Sequence, residues 1–211
     1  RVYPFIRFNQ SKKVHNKVLE LENISKSYDN LNIIKKFSMT INSGDRIAII
    51  GENGIGKTTL LKCLIDDGFA DNGLTKWSEN AVIGYFAQNP SEEFQSNISL
   101  IDWMAKWSHQ EDDMETIRGT LGRLLFTQND INKPVSVLSG GEQRRMLFGK
   151  IILQRANVII LDEPTNHLDM ESIESLNHAL SIFDGTTIFV SHDREFISSL
   201  ATRLIELKNN K

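Results

Sequence analysis

Short apolar runs, bounded by polar or glycine-containing turns, recur along the first ninety residues or so. Residues 18–21 and 33–41 follow the patterns expected of β-strands. Residues 47–50 and 82–86 are mostly apolar, which also favours strands, and Pro90 then interrupts the pattern. The first part of the chain is therefore predicted to be rich in β-structure.

Helix-like and strand-like segments alternate after residue 139. Strands are predicted at residues 158–161, 186–190 and 203–207. The segment between the first two carries apolar residues at helical spacing, namely Ile173, Leu176, Leu180 and Phe183. Short, continuously apolar strands that alternate with helices predict a parallel sheet covered on both faces. The fold class is therefore α/β, and ligands of such sheets bind at the carboxyl ends of the strands.

A helical insert is predicted from about residue 91 to residue 138. Two stripes at helical spacing support it: Leu100, Trp103, Met104 and Trp107, then Ile117, Leu121, Leu124 and Leu125. We interpret the two tryptophans as core of the insert rather than as a ligand platform.

Composition excludes several classes of protein. The 211 residues are 40% hydrophobic and 24% charged, with a net charge of −3, so no dominant nucleic-acid-binding face is predicted. No apolar stretch approaches the roughly 20 residues that a membrane span needs. The single cysteine, Cys63, excludes an internal disulfide and is typical of a reducing compartment, so a cytoplasmic location is expected.

A glycine-rich loop between a predicted strand and a predicted helix carries the strongest chemical signal. It fits the pattern G-x-x-x-x-G-K-[ST], and Thr59 follows it; its residues are Gly51, Glu52, Asn53, Gly54, Ile55, Gly56, Lys57 and Thr58. Such a turn directs backbone N–H groups and a helix dipole at an anion. Lys57 is expected to reach the β- and γ-phosphates of a nucleotide, and Thr58 to offer its hydroxyl to Mg²⁺.

Two carboxylates, Asp162 and Glu163, follow the apolar strand at residues 158–161. Asp162 is suited to hold Mg²⁺, because hard cations take carboxylate oxygens. Side chains alternate along a strand, so Glu163 is predicted to project the other way, where it would orient or deprotonate an attacking water. The alternative is a solvated acidic strand end before Pro164.

Ser139, Gly140, Gly141 and Glu142 fit a helix-capping box, S-x-x-E. Capping alone does not explain two glycines in a first helical turn, since glycine is unfavourable there. Glycines would let an anion approach the exposed N–H groups. We therefore expect this helix to hold a phosphate that is bound to another domain.

Three single residues lie near these motifs. Gln88 ends a predicted strand and would sense Mg²⁺ or the attacking water, while His192 follows another strand and points into the same crevice. Tyr28 would stack on an adenine base. Taken alone, each is more commonly an ordinary polar or core residue.

Taken in this order, the motifs resemble the ATP-binding cassette (ABC) superfamily over nearly the whole chain from residue 18. The resemblance rests most specifically on residues 138–143, which match the ABC signature. It implies ATP and Mg²⁺ as cofactors. Further site residues are implied by their match to family motifs: Gln88 as the Q-loop glutamine and metal contact, His192 as the switch histidine, Tyr28 as the adenine-stacking aromatic, and Glu142, Gln143 and Asp169 at the nucleotide.

Residues 162–169 and 190–196 are similar to the ABC-F class of soluble ATPases. That class has two cassettes on one chain, has no membrane partner and acts on the ribosome. Residues 4–8, 76–80 and 122–126 resemble the second cassette of YbiT-like members. Thr58 departs from the usual serine but keeps the hydroxyl, and the first cassette is absent from the sequence.

The resemblance implies a phosphate-loop NTPase with a mostly parallel core sheet, an N-terminal antiparallel β part and a helical subdomain at about residues 91–138. Residues 1–17 are expected to end an inter-cassette linker and residues 18–211 to form the ATPase domain. The expected partners are a second cassette, in the same full-length chain or in a homodimer, and the ribosome. The alternatives are the ATPase subunit of a membrane transporter, a binding module switched by ATP with negligible turnover, and, more weakly, a DNA-repair cassette.

Overall fold

The computed structural model describes residues 3–208, so the outer ends of the two predicted segments, residues 1–2 and 209–211, lie outside it. Its first part consists of β1 (Lys17–Tyr28), β2 (Leu31–Asn42), β3 (Arg46–Ile50), α1 (Lys57–Ile65), β4 (Asn72–Trp77) and β5 (Ile83–Phe86). A helical region follows, with α2 (Leu100–Ala105), α3 (Met114–Arg123) and the start of α4 (Gly140–Gln154). The last elements are β6 (Val158–Asp162), α5 (Met170–Ser181), β7 (Thr186–Val190), α6 (Arg194–Leu200) and β8 (Arg203–Glu206).

A five-stranded parallel sheet forms the centre of the fold, in the order β5-β6-β7-β3-β8. A separate antiparallel sheet has the order β2-β1-β4. Strands β6 and β7 are buried at every position because both faces of the parallel sheet are covered. The predicted α/β class, with its parallel core and antiparallel N-terminal part, is confirmed. The carboxyl ends of β3, β5, β6 and β7 consequently meet at one edge.

The antiparallel sheet is larger than the sequence pattern predicted. Strand β1 extends to Tyr28, well beyond the expected end at residue 21. Strand β4 was not predicted, because its residues are mostly polar and exposed and lack an apolar alternation. Trp77 at its end anchors it, donating its indole N–H to the carbonyl of Leu64 at 2.8 Å.

The predicted helical insert is present, although its helices are shorter than the apolar stripes suggested. Trp107 lies beyond the end of α2, and Leu125 follows α3 in a left-handed conformation (φ 69°). Phe183 similarly lies beyond α5. These residues continue the stripe after the helix itself has ended; Phe183 is buried there, whereas Trp107 and Leu125 are half-buried. Trp103 is buried as core, and its ring lies 5.7 Å from that of Trp107.

Residues 4–16 form neither helix nor strand but pack on the rest of the chain. Ile6 and Phe8 are buried in the core, and the Phe8 ring meets Phe183 edge-on at 6.0 Å. The amide of Ser11 donates to the carbonyl of Arg155 at 3.1 Å. Among residues 3–208, no helix is long and apolar enough to cross a membrane.

Asn157 connects three segments through a buried, fully used amide. Its Nδ2 donates to the carbonyls of Lys12 and Asn80, and its Oδ1 accepts from the amide of Val82. We expect Asn157→Ala to lower the free energy of unfolding by about 2–4 kcal/mol, because the buried side chain and its three hydrogen bonds to main-chain groups are lost. Urea denaturation measures this. The exposed Asn129→Ala is the control, and equal stability of the two variants would contradict the expectation.

Candidate functional site

A cavity of about 500 Å³ opens at the carboxyl edge of the parallel sheet. It is lined by Asn53, Gly54, Gly56, Lys57, Thr58, Thr59, Gln88, Asp162, Glu163, Asn166, Val190 and His192. The structure therefore brings the strongest motifs of the sequence to one place. Asn166 lines the cavity but was not among the predicted site residues, although it lies within residues 162–169, the segment that resembles the ABC-F class.

The glycine-rich loop has the backbone that its sequence predicted. Gly56 immediately precedes α1 with φ 114°, a conformation that favours glycine. A Cβ atom there would also lie 2.3 Å from Cγ2 of Ile33, so a larger residue cannot be accommodated. The loop turns into the amino end of α1 with Asn53 and Gly54 exposed, and the Ile55 amide donates to the carbonyl of Glu52 at 3.3 Å. The amino end of a helix is where backbone N–H groups can bind an anion.

Lys57 lies across the inside of this loop and is 7% exposed. Its ammonium donates to the carbonyls of Gly51 and Glu52, both at 2.8 Å. An ammonium has three N–H donors, so one remains for an anion in the cavity. Gly51, Glu52 and Ile55 shape the loop but do not line the cavity themselves.

Asp162 is completely buried at the end of β6. Its Oδ2 accepts a hydrogen bond of 2.8 Å from the Thr58 hydroxyl, and its Oδ1 has no hydrogen-bond partner among the described residues. Burial raises the pKa of this carboxyl, and the Thr58 hydrogen bond and the Lys57 charge oppose that shift. A buried carboxylate oxygen without a partner, beside a hydroxyl, fits the oxygen donors that Mg²⁺ prefers.

Glu163 follows the strand rather than continuing it. Its φ of 51° is left-handed, so the alternation argument was wrong: Asp162 and Glu163 line the same cavity instead of pointing to opposite faces. The Glu163 carboxylate is 4% exposed and lies 3.0 Å from Nε2 of His192 through Oε1. Its Oε2 has no partner among residues 3–208. Burial raises the Glu163 pKa, and proximity to His192 opposes this.

His192 and Gln88 are both exposed members of the cavity. The His192 side chain is 53% exposed while it contacts Glu163. Gln88 is exposed after the end of β5. Both lie where a ligand on the glycine-rich loop would meet them, because the strands that precede them end at this edge.

The helix-capping segment lies outside the cavity. Ser139 and Glu142 form the predicted capping box on α4, with the Ser139 amide donating to Glu142 Oε2 at 2.8 Å. A Cβ atom on Gly140 or Gly141 would meet nothing within 4 Å. Internal packing therefore does not explain the two glycines, and Ser139 and Gly140 are exposed to solvent. Gln143 uses its amide to donate to the carbonyl of Leu138.

Tyr28 and Asp169 also lie outside the cavity. Tyr28 ends β1 with 47% of its surface exposed, and the Lys26 ammonium lies 5.6 Å from its ring. Asp169 caps α5 by accepting from the amide of Ser172 at 2.8 Å, and this hydrogen bond lowers the Asp169 pKa. Their predicted roles at a nucleotide stay predictions.

This geometry agrees with the comparisons with known proteins. The ABC transporter family model matches residues 34–166, and the chain therefore belongs to that family. The "Probable ATP-binding protein YbiT" of Escherichia coli O157:H7 is 54% identical over 207 residues, which are 98% of this chain and 39% of that protein. ATP-binding cassette sub-family F member 3 of Rattus norvegicus is 38% identical over 188 residues, 89% of this chain and 26% of that protein.

These relatives confirm the resemblance to the ABC-F class and support an ATP-binding cassette. The chain spans about 39% of the length of the E. coli relative. Among solved structures, a bacterial Atm1-family ABC exporter with ATP bound matches with a TM-score of 0.75 at 17% identity. That match covers 95% of this chain and 40% of the exporter chain, and it confirms the fold alone.

The buried Asp162 carboxylate should reduce the stability of the nucleotide-free chain. We expect Asp162→Asn to raise the free energy of unfolding by about 1–2 kcal/mol, since the amide removes a desolvated charge and keeps an oxygen for Thr58. The melting temperature should rise by about 2–8 °C, as differential scanning calorimetry can measure. The exposed Asp67→Asn is the control. A lower melting temperature for Asp162→Asn would contradict this account of the site.

Proposed function

We propose that this chain is a Mg²⁺-dependent ATPase cassette that pairs face to face with a second cassette. One observation carries the proposal. Lys57 and Thr58 meet Asp162 and the Glu163–His192 pair in a single cavity, so the groups for phosphate binding, metal binding and proton transfer are adjacent.

Binding is assigned to the glycine-rich loop. The amide groups at the start of α1 and the Lys57 ammonium would hold the β- and γ-phosphates. Thr58, Asp162 and Gln88 would hold Mg²⁺, which when bound neutralises charge on the phosphates. Tyr28 would stack on the adenine base. It lies at the turn between β1 and β2, and Ile33 of the same hairpin lies beside Gly56 of the loop.

Hydrolysis is assigned to Glu163. Its partly used carboxylate faces the cavity, and the raised pKa makes it a better proton acceptor from water than an exposed glutamate. His192 would hold Glu163 in place through the 3.0 Å contact and would meet the γ-phosphate. Gln88 would hold the attacking water in line with the bond that breaks.

A second cassette is part of the proposal because the capping segment, residues 139–143, does not line the cavity of its own chain. Ser139, Gly140 and Gly141, with Glu142 and Gln143 behind them, would cap the γ-phosphate of an ATP bound to the facing cassette, and Asp169 would lie at the same contact. Open space around both glycines supports this role. The facing cassette would belong to the same full-length chain or to a second copy of this one. In the first case residues 1–17 would end the linker between the cassettes, and residues 18–211 would form the ATPase domain.

The cellular role that we infer is that of a cytoplasmic ribosome or translation factor of the ABC-F class without a membrane subunit. The 54% identity to the YbiT protein and the match to a sub-family F member support it. The competing role is the ATPase subunit of a membrane transporter, and the likeness to an exporter adds no support to it because that likeness is one of fold alone.

Replacing the proposed base tests the enzymatic assignment. We expect Glu163→Gln to lower the single-turnover rate of ATP hydrolysis by about 100-fold or more, because the amide cannot accept the proton. The dissociation constant of Mg-ATP should change by less than about 3-fold, since glutamate is not assigned to binding. Glu174→Gln, exposed on α5, is the control. Turnover of Glu163→Gln at the original rate would show that another group is the base.

Sedimentation with ribosomes tests the cellular role. We expect the full-length Glu163→Gln protein to co-sediment with ribosomes when ATP is present and to remain in the supernatant without it, because slow hydrolysis traps the closed pair of cassettes. ADP is the control nucleotide. Co-purification with a membrane protein, and no ATP-dependent sedimentation, would favour the transporter subunit instead.

A further inference from the structure

Arg144 is a buried cation that the proposed mechanism does not use. It lies on α4, five residues after Ser139, and is 5% exposed. Its guanidinium donates through Nη2 to the carbonyl of Gln88 at 3.1 Å and through Nη1 to the carbonyl of Glu163 at 3.4 Å. One side chain therefore contacts the main chain of two cavity residues that lie on separate segments of the fold.

Burying a guanidinium is unfavourable unless its donors are used. Arg144 forms no ion pair within 4 Å of a carboxylate among residues 3–208, so the two main-chain carbonyls, together with the more distant charge of Glu163, supply the compensation. Its position is set by aromatic packing: the guanidinium lies 5.6 Å from the centroid of Phe86, and that ring stacks at 4.7 Å on Phe148 of the same helix. The contact between α4 and β5 thus directs Arg144 at the end of β5, where Gln88 follows.

Glu163 needs support at this point because its left-handed backbone is unfavourable for a residue with a side chain. Its amide donates to the carbonyl of Val190 at 2.9 Å. Its carbonyl accepts from Arg144 and from the amide of Asn166 at 3.3 Å. Hydrogen bonds on both sides of the residue therefore hold the conformation that places its carboxylate in the cavity.

We propose that Arg144 is a positioning residue that fixes Glu163 and Gln88 relative to each other and links both to helix α4. This role rests on the proposed function, in which Glu163 accepts the proton and Gln88 holds the attacking water. Ser139 caps helix α4, and Gly140 and Gly141 are its first two residues. These three residues are the segment assigned to the nucleotide of the facing cassette. If α4 moves when the second cassette binds, the Arg144 guanidinium would move the main chain of both Glu163 and Gln88 with it.

The consequence is a separation between binding and chemistry. Lys57 and the loop amides bind the phosphates without contacting Arg144, and Thr58 and Asp162 remain to hold Mg²⁺, so loss of Arg144 should change nucleotide affinity little even though it contacts Gln88. The chemical step depends on the position of Glu163, and a displacement of about 1 Å in a reacting group can cost about 100-fold in rate.

Arg144→Met in the full-length protein tests this role, because methionine keeps an apolar stem and removes every donor. The dissociation constant of Mg-ATP should stay within about 3-fold of wild type, while the single-turnover rate falls about 10- to 100-fold. Arg144→Lys should recover part of the rate, since an ammonium keeps the charge but lacks the planar fork that spans two carbonyls. Full activity of Arg144→Met would overturn the role.

A control on the same helix separates positioning from general stability. Lys150→Met removes another largely buried cation of α4, which pairs with Glu93 at 2.6 Å, and neither residue lines the cavity. Its rate per nucleotide-binding site should equal that of wild type. A loss as large as that of Arg144→Met would show that any defect in α4 slows hydrolysis, which contradicts a specific role for Arg144.

A double-mutant cycle tests whether Arg144 acts through Glu163. In the Glu163→Gln background, Arg144→Met should lower the residual rate by less than about 3-fold, because the Glu163 carboxylate is already absent and only the contact with Gln88 remains to be lost. An unchanged 10- to 100-fold effect would place Arg144 outside this pathway. If wild type hydrolyses ATP and only the Arg144 results fail, the positioning role alone is wrong. If wild type neither binds nor hydrolyses ATP, the proposed function fails and this role fails with it.

Discussion

The structure depends on the burial of two neighbouring carboxylates at the end of one strand. Asp162 and Glu163 are both removed from water, and each keeps one oxygen without a hydrogen-bond partner among the described residues. Desolvation of this kind is unfavourable in the free protein, and burial raises both pKa values. A bound cation and a water that loses a proton would use the two free oxygens. The cost in stability is thus understandable only if the cavity has a ligand.

The rest of the fold places further functional side chains beside these two acids. Parallel strands β3, β5, β6 and β7 end at one edge, so the loops that follow them contribute Lys57, Gln88 and His192 to the same cavity. Helix α4 approaches from the helical subdomain and contacts the main chain of Glu163 through Arg144, while Ser139 and Gly140 at its start are exposed. The site therefore has one set of contacts inside the cavity and a separate glycine-rich surface outside it, which agrees with the proposed pairing of cassettes.

Local motifs in the sequence predicted much of this site, because each motif couples a residue type to its backbone. The loop glycines needed left-handed angles, and the apolar strand before Asp162 placed it at a sheet edge. Long-range packing decided the remainder. Strand β4 has no apolar pattern, and the left-handed turn at Glu163 ends the alternation that predicted the direction of its side chain. The role of Arg144 depends on carbonyl groups that are distant in sequence, so no local pattern could indicate it. Asn166 lies in the segment that resembles the ABC-F class, but nothing in the sequence placed its side chain in the cavity.

Isothermal titration calorimetry with Mg-ATP measures directly whether the cavity binds a nucleoside triphosphate. We expect saturable binding of one nucleotide per chain. Lys57→Met should reduce the affinity about 10-fold or more, because it removes a charge-assisted contact to phosphate. Lys62→Met, exposed on the same helix, should leave affinity unchanged. The absence of binding heat across several temperatures, or equal affinity for the wild type and Lys57→Met, would contradict the assignment of the cavity to a nucleoside triphosphate.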